Sequence, residues 1–269
     1  MTKQPSKHSR SAAFAKRAWK QQRSTAVWLA AVAGAALGVV VFIGAGEMNA
    51  VTNVSDLIPH SQTGLVSVYD ADGTVAPLTA YLMSMTPAIL GMLIAVVATL
   101  TLPGVVADDI GGGGIEVLLA SPIPRRALFT AYLGAGFLLT AASWGVATLA
   151  FAVAATLTAL TIGTVTTLSF AYVAALIVLP LSMGVWSATA TLFGALLYPG
   201  ALESKAGMNG GPIRLLAIFP ALIIVPALLA FPAATLVMLA IVVAVTIAAS
   251  VLIIFLTARG FSSTRVLST

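Results

Sequence analysis

The 269-residue sequence contains no cysteine and only two histidines, His8 and His60. Disulfides, thiolate metal sites and cysteine nucleophiles are therefore excluded. Charged residues make up 8% of the chain and hydrophobic residues 59%, whereas about 25% of the residues of a soluble domain are charged. So few polar side chains cannot cover a surface in water, which excludes a water-soluble fold, and the same composition excludes intrinsic disorder. Lipid must serve as the solvent for most of this chain.

The chain also lacks a P-loop. Its glycine run at residues 111–114 is followed by Ile115 and Glu116, whereas a phosphate cradle needs a lysine that meets the terminal phosphates. This chain cannot bind ATP by that route. We therefore expect a protein that is not itself an enzyme and that has no cofactor or metal of its own.

The sequence contains four long stretches without a charged residue. An apolar helix needs about 20 residues to cross a bilayer core about 30 Å thick. The uncharged stretches are residues 24–46, 73–107, 127–202 and 215–258. By length, the first two hold one crossing each and the last two hold two crossings each. The sequence therefore predicts an all-α integral membrane protein with six transmembrane helices.

Composition places the boundaries inside the two longer stretches. Seven hydroxyl residues and Gly163 lie within residues 156–169, which is typical of an exposed connection. Pro220, Pro226 and Pro232 interrupt the last stretch, and because proline breaks helices we place a turn near Phe231 and Pro232. The predicted spans are residues 26–46, 81–106, 128–153, 170–194, 215–231 and 233–257, between a basic tail at 1–25 and a second tail at 259–269.

All thirteen lysines and arginines fall on one side of these spans. Seven of them crowd into the first 23 positions beside a hydrophobic segment, which is a membrane-flank pattern and not a nucleic-acid-binding one. The positive-inside rule places both termini in the cytoplasm. The first loop on the opposite side is acidic, with Glu47, Asp56, Asp70 and Asp72. We expect a multi-pass protein of a bacterial cytoplasmic membrane.

The basic N-terminal segment has two interpretations. Phe14, Ala18 and Trp19 stand among Lys16 and Lys20, so an amphipathic helix could lie on the inner leaflet with its aromatic residues in the headgroups. The alternative is a disordered basic tail that only sets the orientation of the first span.

The segment between spans two and three, residues 108–126, is the most unusual part of the sequence. Ile115, Leu118 and Leu119 have the i, i+3, i+4 spacing of a short helix with one apolar face. Pro122 and Pro124 would end this helix. It could rest on the lipid headgroups, or it could be a cytoplasmic knob that docks in a groove of a partner.

This segment resembles the first cytoplasmic loop of type-2 ABC exporter permeases, which reads roughly acid-x-acid-x-Gly-Thr-Leu-Glu-x-Leu-Leu-x-Ser-Pro-Val-Ser-Arg. The matching positions are Asp109, Gly113, Ile115, Glu116, Leu118, Leu119, Ser121, Pro122, Ile123 and Arg125. Six spans with both ends inside extend the resemblance to the whole architecture. The resemblance implies a coupling helix between helices 2 and 3 that takes the stroke of a separate ATPase, with Glu116 at or near the contact.

The resemblance also implies partners and an activity. This chain would be the permease subunit of an ATP-driven exporter, with ATP and magnesium on the partner ATPase and with a second permease subunit in a homodimer or heterodimer. A lining of threonine, serine and aliphatic side chains suits an apolar or amphipathic cargo such as a drug, lipid or peptide. The chain departs from the family pattern at Gly111 and Gly114, and at Ala127 and Tyr132 where Glu and Lys are common. The glycine run favours a hinge, or a helix that forms only when docked.

An ion-coupled or facilitative transporter that needs no ATPase is the alternative function. Ion coupling usually needs an ionisable group inside the membrane, and the central parts of the spans contain no Asp, Glu, Lys, Arg or His. Backbone carbonyls and threonines could still bind a cation. A membrane-embedded enzyme would need clustered acids or histidines, which makes it the weakest class.

Three smaller patterns have both a structural and a functional interpretation. Gly34 and Gly38 have G-x-x-x-G spacing, which predicts close helix packing, either within the chain or at a dimer seam. Residues 70–73 imitate the start of a calcium loop, but its later ligands are missing, so we expect a tight turn. Glu203 and Lys205 form either a solvated pair or a second contact with the ATPase.

Overall fold

The structure, a computed structural model, describes residues 7–51, 65–111, 125–197, 212–231 and 234–260. Within these residues the chain forms six helices and two short strands. The helices are α1 (Lys7–Val51), α2 (Pro77–Gly111), α3 (Arg125–Ile162), α4 (Phe170–Leu197), α5 (Pro212–Ala230) and α6 (Thr235–Gly260). The strands are β1 (Val66–Tyr69), before α2, and β2 (Val165–Leu168), before α4. The predicted helical fold is confirmed, with a short ribbon that the sequence did not predict.

Five of these helices are long and apolar enough to cross a membrane. Their candidate spans are Gln22–Gly44, Pro77–Thr101, Thr130–Ile162, Phe170–Gly194 and Thr235–Leu256. The other helix, α5, has 19 residues and contains a shorter apolar segment, Leu215–Leu228. At about 1.5 Å per residue α5 is about 28 Å long, close to the bilayer core of about 30 Å. The architecture is that of a multi-pass membrane protein.

The helices α2 and α4 form the centre of the bundle. α2 packs against α1, α3, α4 and α5, and α4 packs against α2, α3, α5 and α6. In the most apolar window of each span, 72% of the residues of α2 are buried, compared with 17% for α6. The outer helices expose large apolar side chains, among them Trp28, Leu149 and Val237. Such a surface suits contact with lipid.

The first four helices alternate in direction. Gly34 and Gly38 of α1 face Ala147 and Phe151 of α3 in the same chain order, so α1 and α3 are parallel. The contacts between α2 and α4 also advance in the same chain order, so these two helices are parallel as well. The start of the α1 span packs against the end of the α2 span, so α1 and α2 are antiparallel. The start of the α1 span, the end of α2, the start of α3 and the end of α4 therefore lie at the same end of the bundle.

A two-stranded ribbon lies at the other end of the bundle. β1 and β2 pair antiparallel, from Val66 opposite Leu168 to Tyr69 opposite Val165. Because β1 lies between α1 and α2, and β2 lies between α3 and α4, the ribbon joins the connections of two helical hairpins.

The third helix is longer than the predicted span. α3 continues past Val153 to Ile162, and only residues 163–169 form the connection. The hydroxyls of Thr158 and Thr161 donate to the carbonyls of Ala154 and Thr158, both at 2.8 Å. Threonines bonded in this way remain within a helix, so the hydroxyl-rich composition does not end it. The predicted turn near Phe231 agrees with the structure, since α5 ends at Ala230 and α6 begins at Thr235.

The basic N-terminal segment is part of the first membrane helix. α1 has 45 residues and begins at Lys7, so the helix of this segment is continuous with the first span. Residues 1–6 lie outside the described part. Trp19 packs against a buried cluster that includes Val97 of α2 and Leu139 of α3. This contact holds the end of the basic segment against the bundle.

Candidate functional site

Most of the segment predicted to couple to an ATPase lies outside the described residues. Asp109 is in the last turn of α2, and Arg125 is the first residue of α3. The remaining predicted residues fall between these helices, in the part that is not described: Gly113, Ile115, Glu116, Leu118, Leu119, Ser121, Pro122 and Ile123. Because α2 and α3 pack against each other, residues 112–124 join two neighbouring helix ends. Glu203 and Lys205 also lie outside the described residues.

Charged residues mark the two ends of the bundle. Lys16, Lys20 and Arg23 are exposed near the start of α1. Asp72 is exposed and Asp70 is partly exposed beside the ribbon at the opposite end. The basic end is the one at which α2 ends and α3 begins, so it also holds the predicted coupling segment.

Gly34 and Gly38 bring α1 and α3 into backbone contact. A Cβ on Gly34 would overlap the carbonyl group of Ala147, and a Cβ on Gly38 would lie 2.8 Å from the Phe151 carbonyl oxygen and 2.8 Å from the Ala155 nitrogen. Of the two interpretations of this G-x-x-x-G pair, the structure displays packing within one chain.

A second pair of glycines, Gly91 and Gly184, brings α2 and α4 together. A Cβ on Gly91 would overlap the side chain of Met183. A Cβ on Gly184 would lie 2.5 Å from Cγ2 of Thr140 and 2.8 Å from Cγ2 of Ile94. Gly184 therefore lies where α2, α3 and α4 meet, and a larger residue there would separate the central helices.

Hydrogen bonds join the same central helices to their neighbours. The Ser187 hydroxyl of α4 donates to the Ala95 carbonyl of α2 at 2.8 Å, and both residues are buried. Trp186 Nε1 donates to the Leu216 carbonyl of α5 at 3.3 Å. The sequence did not predict these contacts. A Pro-x-x-x-Gly pattern, at residues 87–91 and 180–184 of the two central helices, is the signal that could have found them, because glycine permits close approach of helices in lipid.

Most of the other buried hydroxyl groups are satisfied within their own helices. Thr101 donates to the Val97 carbonyl at 2.9 Å, and Thr246 donates to the Val242 carbonyl at 2.7 Å. The same local pattern holds for Ser84, Thr86, Thr99, Thr158, Ser182, Thr189, Thr191 and Ser250. Because these hydroxyls already donate to carbonyls of their own helices, they do not form a binding site in this arrangement.

Four buried polar groups have no hydrogen-bond partner among the residues that the structure describes. They are Thr140 Oγ1, Trp144 Nε1, Thr148 Oγ1 and Tyr172 Oη, which we call the unpaired set. The first three are spaced by four residues on α3 and lie along one stripe of that helix. Tyr172, near the start of α4, is 0% exposed and belongs to the cluster against which Trp144 packs. Its hydroxyl lies near the side chain of Thr86 but makes no bond of hydrogen-bond geometry with it. An unpaired buried group costs about 1–3 kcal/mol, so these positions need an explanation.

The acidic segment beside the ribbon is a tight turn, as predicted. The Asp70 N–H donates to the Thr74 carbonyl and the Gly73 N–H donates to the Asp70 carbonyl, both at 2.8 Å. Gly73 has a φ of 76°, a conformation that favours glycine. Over the described ranges, no group of three or more His, Asp or Glu side chains is placed to hold a metal ion.

No protein-family model matches the chain, and no curated protein and no solved structure matches it.

Proposed function

We propose that this chain is the transmembrane permease subunit of an ATP-driven ABC exporter. It works with a separate ATPase subunit and a second permease subunit. The observation that carries the proposal is the position of residues 112–124, which contain most of the segment that resembles an ABC coupling helix. They connect the charged ends of α2 and α3, and α2 is a central helix of the bundle.

The contacts of α2 determine which helices would move if residues 112–124 were displaced. α2 contacts α4 through Gly91 and Gly184, and the Ser187 hydroxyl bonds to its Ala95 carbonyl. Packed helices move as units because tight interfaces have few alternative arrangements. A displacement at the end of α2 would therefore move α4 with it and shift the bundle from an inward to an outward opening. Coupling requires the ATP-bound and ATP-free ATPase to hold residues 112–124 differently.

The proposal includes six crossings with both termini in the cytoplasm. α5 supplies the sixth crossing, and Arg214 and Arg259 would then lie on the same side as the basic start of α1. This orientation follows the positive-inside rule. It places residues 112–124 in the cytoplasm, where an ATPase can reach them, and the ribbon outside the membrane.

The interior of the bundle favours a cargo without charge. Among the described residues, every buried residue classed as polar or charged is a serine or a threonine. A charged cargo would meet no opposite charge there, and an unpaired charge inside a membrane is costly. An apolar or amphipathic molecule is therefore the cargo class that the bundle supports.

Co-purification with the ATPase tests the coupling. Glu116→Ala and Leu118→Asp remove the proposed contacts, and we expect each to weaken association with the ATPase by about tenfold or more. Asp72→Ala, an acid-to-alanine change at the opposite end, is the matched control and should bind as the unsubstituted chain does. Unchanged association and unchanged cargo-stimulated ATP hydrolysis in both test variants would refute the proposal.

A transport assay separates the proposal from a secondary transporter. Vesicles that contain the permease and its ATPase should accumulate cargo only with ATP, and an ionophore that collapses ion gradients should leave the rate unchanged. Uphill transport by the permease alone, lost on addition of the ionophore, would instead establish ion coupling.

A further inference from the structure

We propose that the unpaired set is the cargo-binding site of this permease and that its cargo is a neutral amphiphile bearing hydrogen-bond-accepting oxygens, such as those of an ester, amide or ether. The inference rests on the proposed function and adds the substrate class. It is carried by Thr140 Oγ1, Trp144 Nε1, Thr148 Oγ1 and Tyr172 Oη, which are buried and without a partner within the described chain.

The chemistry of the four groups defines the ligand. The indole N–H of Trp144 can only donate a hydrogen bond, and the three hydroxyls can each donate one. An acceptor oxygen is therefore the partner that all four groups can share. No charged residue is buried among the side chains whose burial the structure describes, so a charged headgroup would be left uncompensated. These two conditions together select a neutral molecule with acceptor oxygens.

The set lies where the proposed motion acts. The Thr140 methyl group is the nearest neighbour of Gly184, at the junction of α3 and α4. Trp144 and Tyr172 belong to one side-chain cluster with Leu90 and Ile94 of α2. A separation of α3 from the two central helices would therefore expose these groups to a molecule that enters the bundle.

The threonines of the set differ from the others on their helix. Thr158 of α3 donates to the Ala154 carbonyl at 2.8 Å, whereas Thr140 and Thr148 make no such bond. Their hydroxyls are thus available to an external acceptor. A cargo that pairs with them stabilises the opened arrangement relative to this one, which is the differential contact that a ligand needs to shift a conformational equilibrium.

Isosteric substitutions test the inference on the purified permease without ATPase. Thr140→Val, Thr148→Val and Tyr172→Phe each remove a polar atom and keep the shape of the side chain nearly unchanged. Thr158→Val is the matched control, because its hydroxyl is already bonded within α3. The probes are decyl acetate and tridecane, which have equal chain length and differ in the ester group, and the readout is the unfolding temperature at increasing probe concentration.

We expect decyl acetate to raise the unfolding temperature of the unsubstituted permease, since a ligand of the folded state stabilises it, and tridecane to leave it unchanged. The three test variants should bind decyl acetate about tenfold more weakly, whereas Thr158→Val should bind it as before. Without a probe, the test variants should unfold at the original temperature or above it, because no internal hydrogen bond is lost.

Three results would overturn the inference. They are equal stabilisation by tridecane and decyl acetate, full decyl acetate binding by the test variants, and a lower unfolding temperature of the test variants without a probe, which would mean that the groups have partners inside the folded chain. The measurement uses the permease alone. It therefore stays valid if association with an ATPase fails, and the two failures are distinguishable.

Discussion

Four glycines hold pairs of helices in contact: Gly34 and Gly38 between α1 and α3, and Gly91 and Gly184 between α2 and α4. Apolar side chains gain little by leaving lipid, so association of helices depends on van der Waals packing and interhelical hydrogen bonds. The lack of a side chain at these glycines therefore stabilises helix association through the close contacts that it permits. Spacing alone singled out Gly34 and Gly38, but small residues are so frequent here that spacing could not identify the helix that they meet.

Gly34→Ala should destabilise the protein. Its new Cβ would overlap the Ala147 carbonyl group and force α1 and α3 apart, at a cost of about 1–3 kcal/mol. Gly145→Ala is the matched control, because Gly145 also lies on a helix and a Cβ there meets nothing within 4 Å. Alanine should stabilise that position by about 0.5–1 kcal/mol. Thermal unfolding in detergent measures both, and equal effects of the two substitutions would contradict the packing of α1 against α3.

At the scale of elements, the uncharged length of the chain predicted most helices. α4 begins at Phe170, as predicted, and the break between α5 and α6 falls at Phe231. Length and charge suffice because a chain in lipid must satisfy its backbone groups internally, which favours helices. They failed at residues 156–169, where hydroxyl residues indicate turns in water but bond to the preceding helical turn in α3. β2 lies in the same stretch and was missed because it is formed by pairing with β1, which is distant in the chain and leaves no local pattern.

Ser187→Ala should weaken the contact between α2 and α4. It removes the 2.8 Å hydrogen bond to the Ala95 carbonyl, and such interhelical bonds contribute about 0.6 kcal/mol on average in membranes. Ser250→Ala is the control, since that hydroxyl donates at 2.7 Å to Thr246 within α6. The free energy of unfolding should fall for Ser187→Ala and change little for Ser250→Ala. A larger loss in the control would show that the local bonds, and not the contact of the central helices, dominate.

At the scale of the whole molecule, the arrangement of the helices could not be read from the sequence. All six helices are apolar around most of their surface, so no amphipathic face distinguishes the central helices from the outer ones. Burial does distinguish them, at 72% for α2 and 17% for α6. Of the predicted coupling segment, the structure describes only the ends, including Asp109 and Arg125. The unpaired set could not be predicted, because a threonine that bonds within its helix has the same sequence signal as one that does not.

The orientation of the molecule is open to direct labelling, because the chain contains no cysteine. Lys16 and Asp72 are both exposed, near opposite ends of the bundle. A membrane-impermeant maleimide should label Asp72→Cys in intact cells and Lys16→Cys only after permeabilisation, because the positive-inside rule places the basic end inside. The unsubstituted chain should remain unlabelled. The reverse pattern would place residues 112–124 outside the cell and refute coupling to a cytoplasmic ATPase.

The pairing of β1 with β2 makes the two faces of the molecule mechanically unequal. Four residue pairs fasten the tips of the α1–α2 and α3–α4 hairpins to each other. Parting the two hairpins at the acidic end would have to break these pairs as well as the packing of α2 against α4. The ribbon therefore acts there as a backbone clasp between the hairpins, and the described residues at the basic end contain no second clasp of this kind.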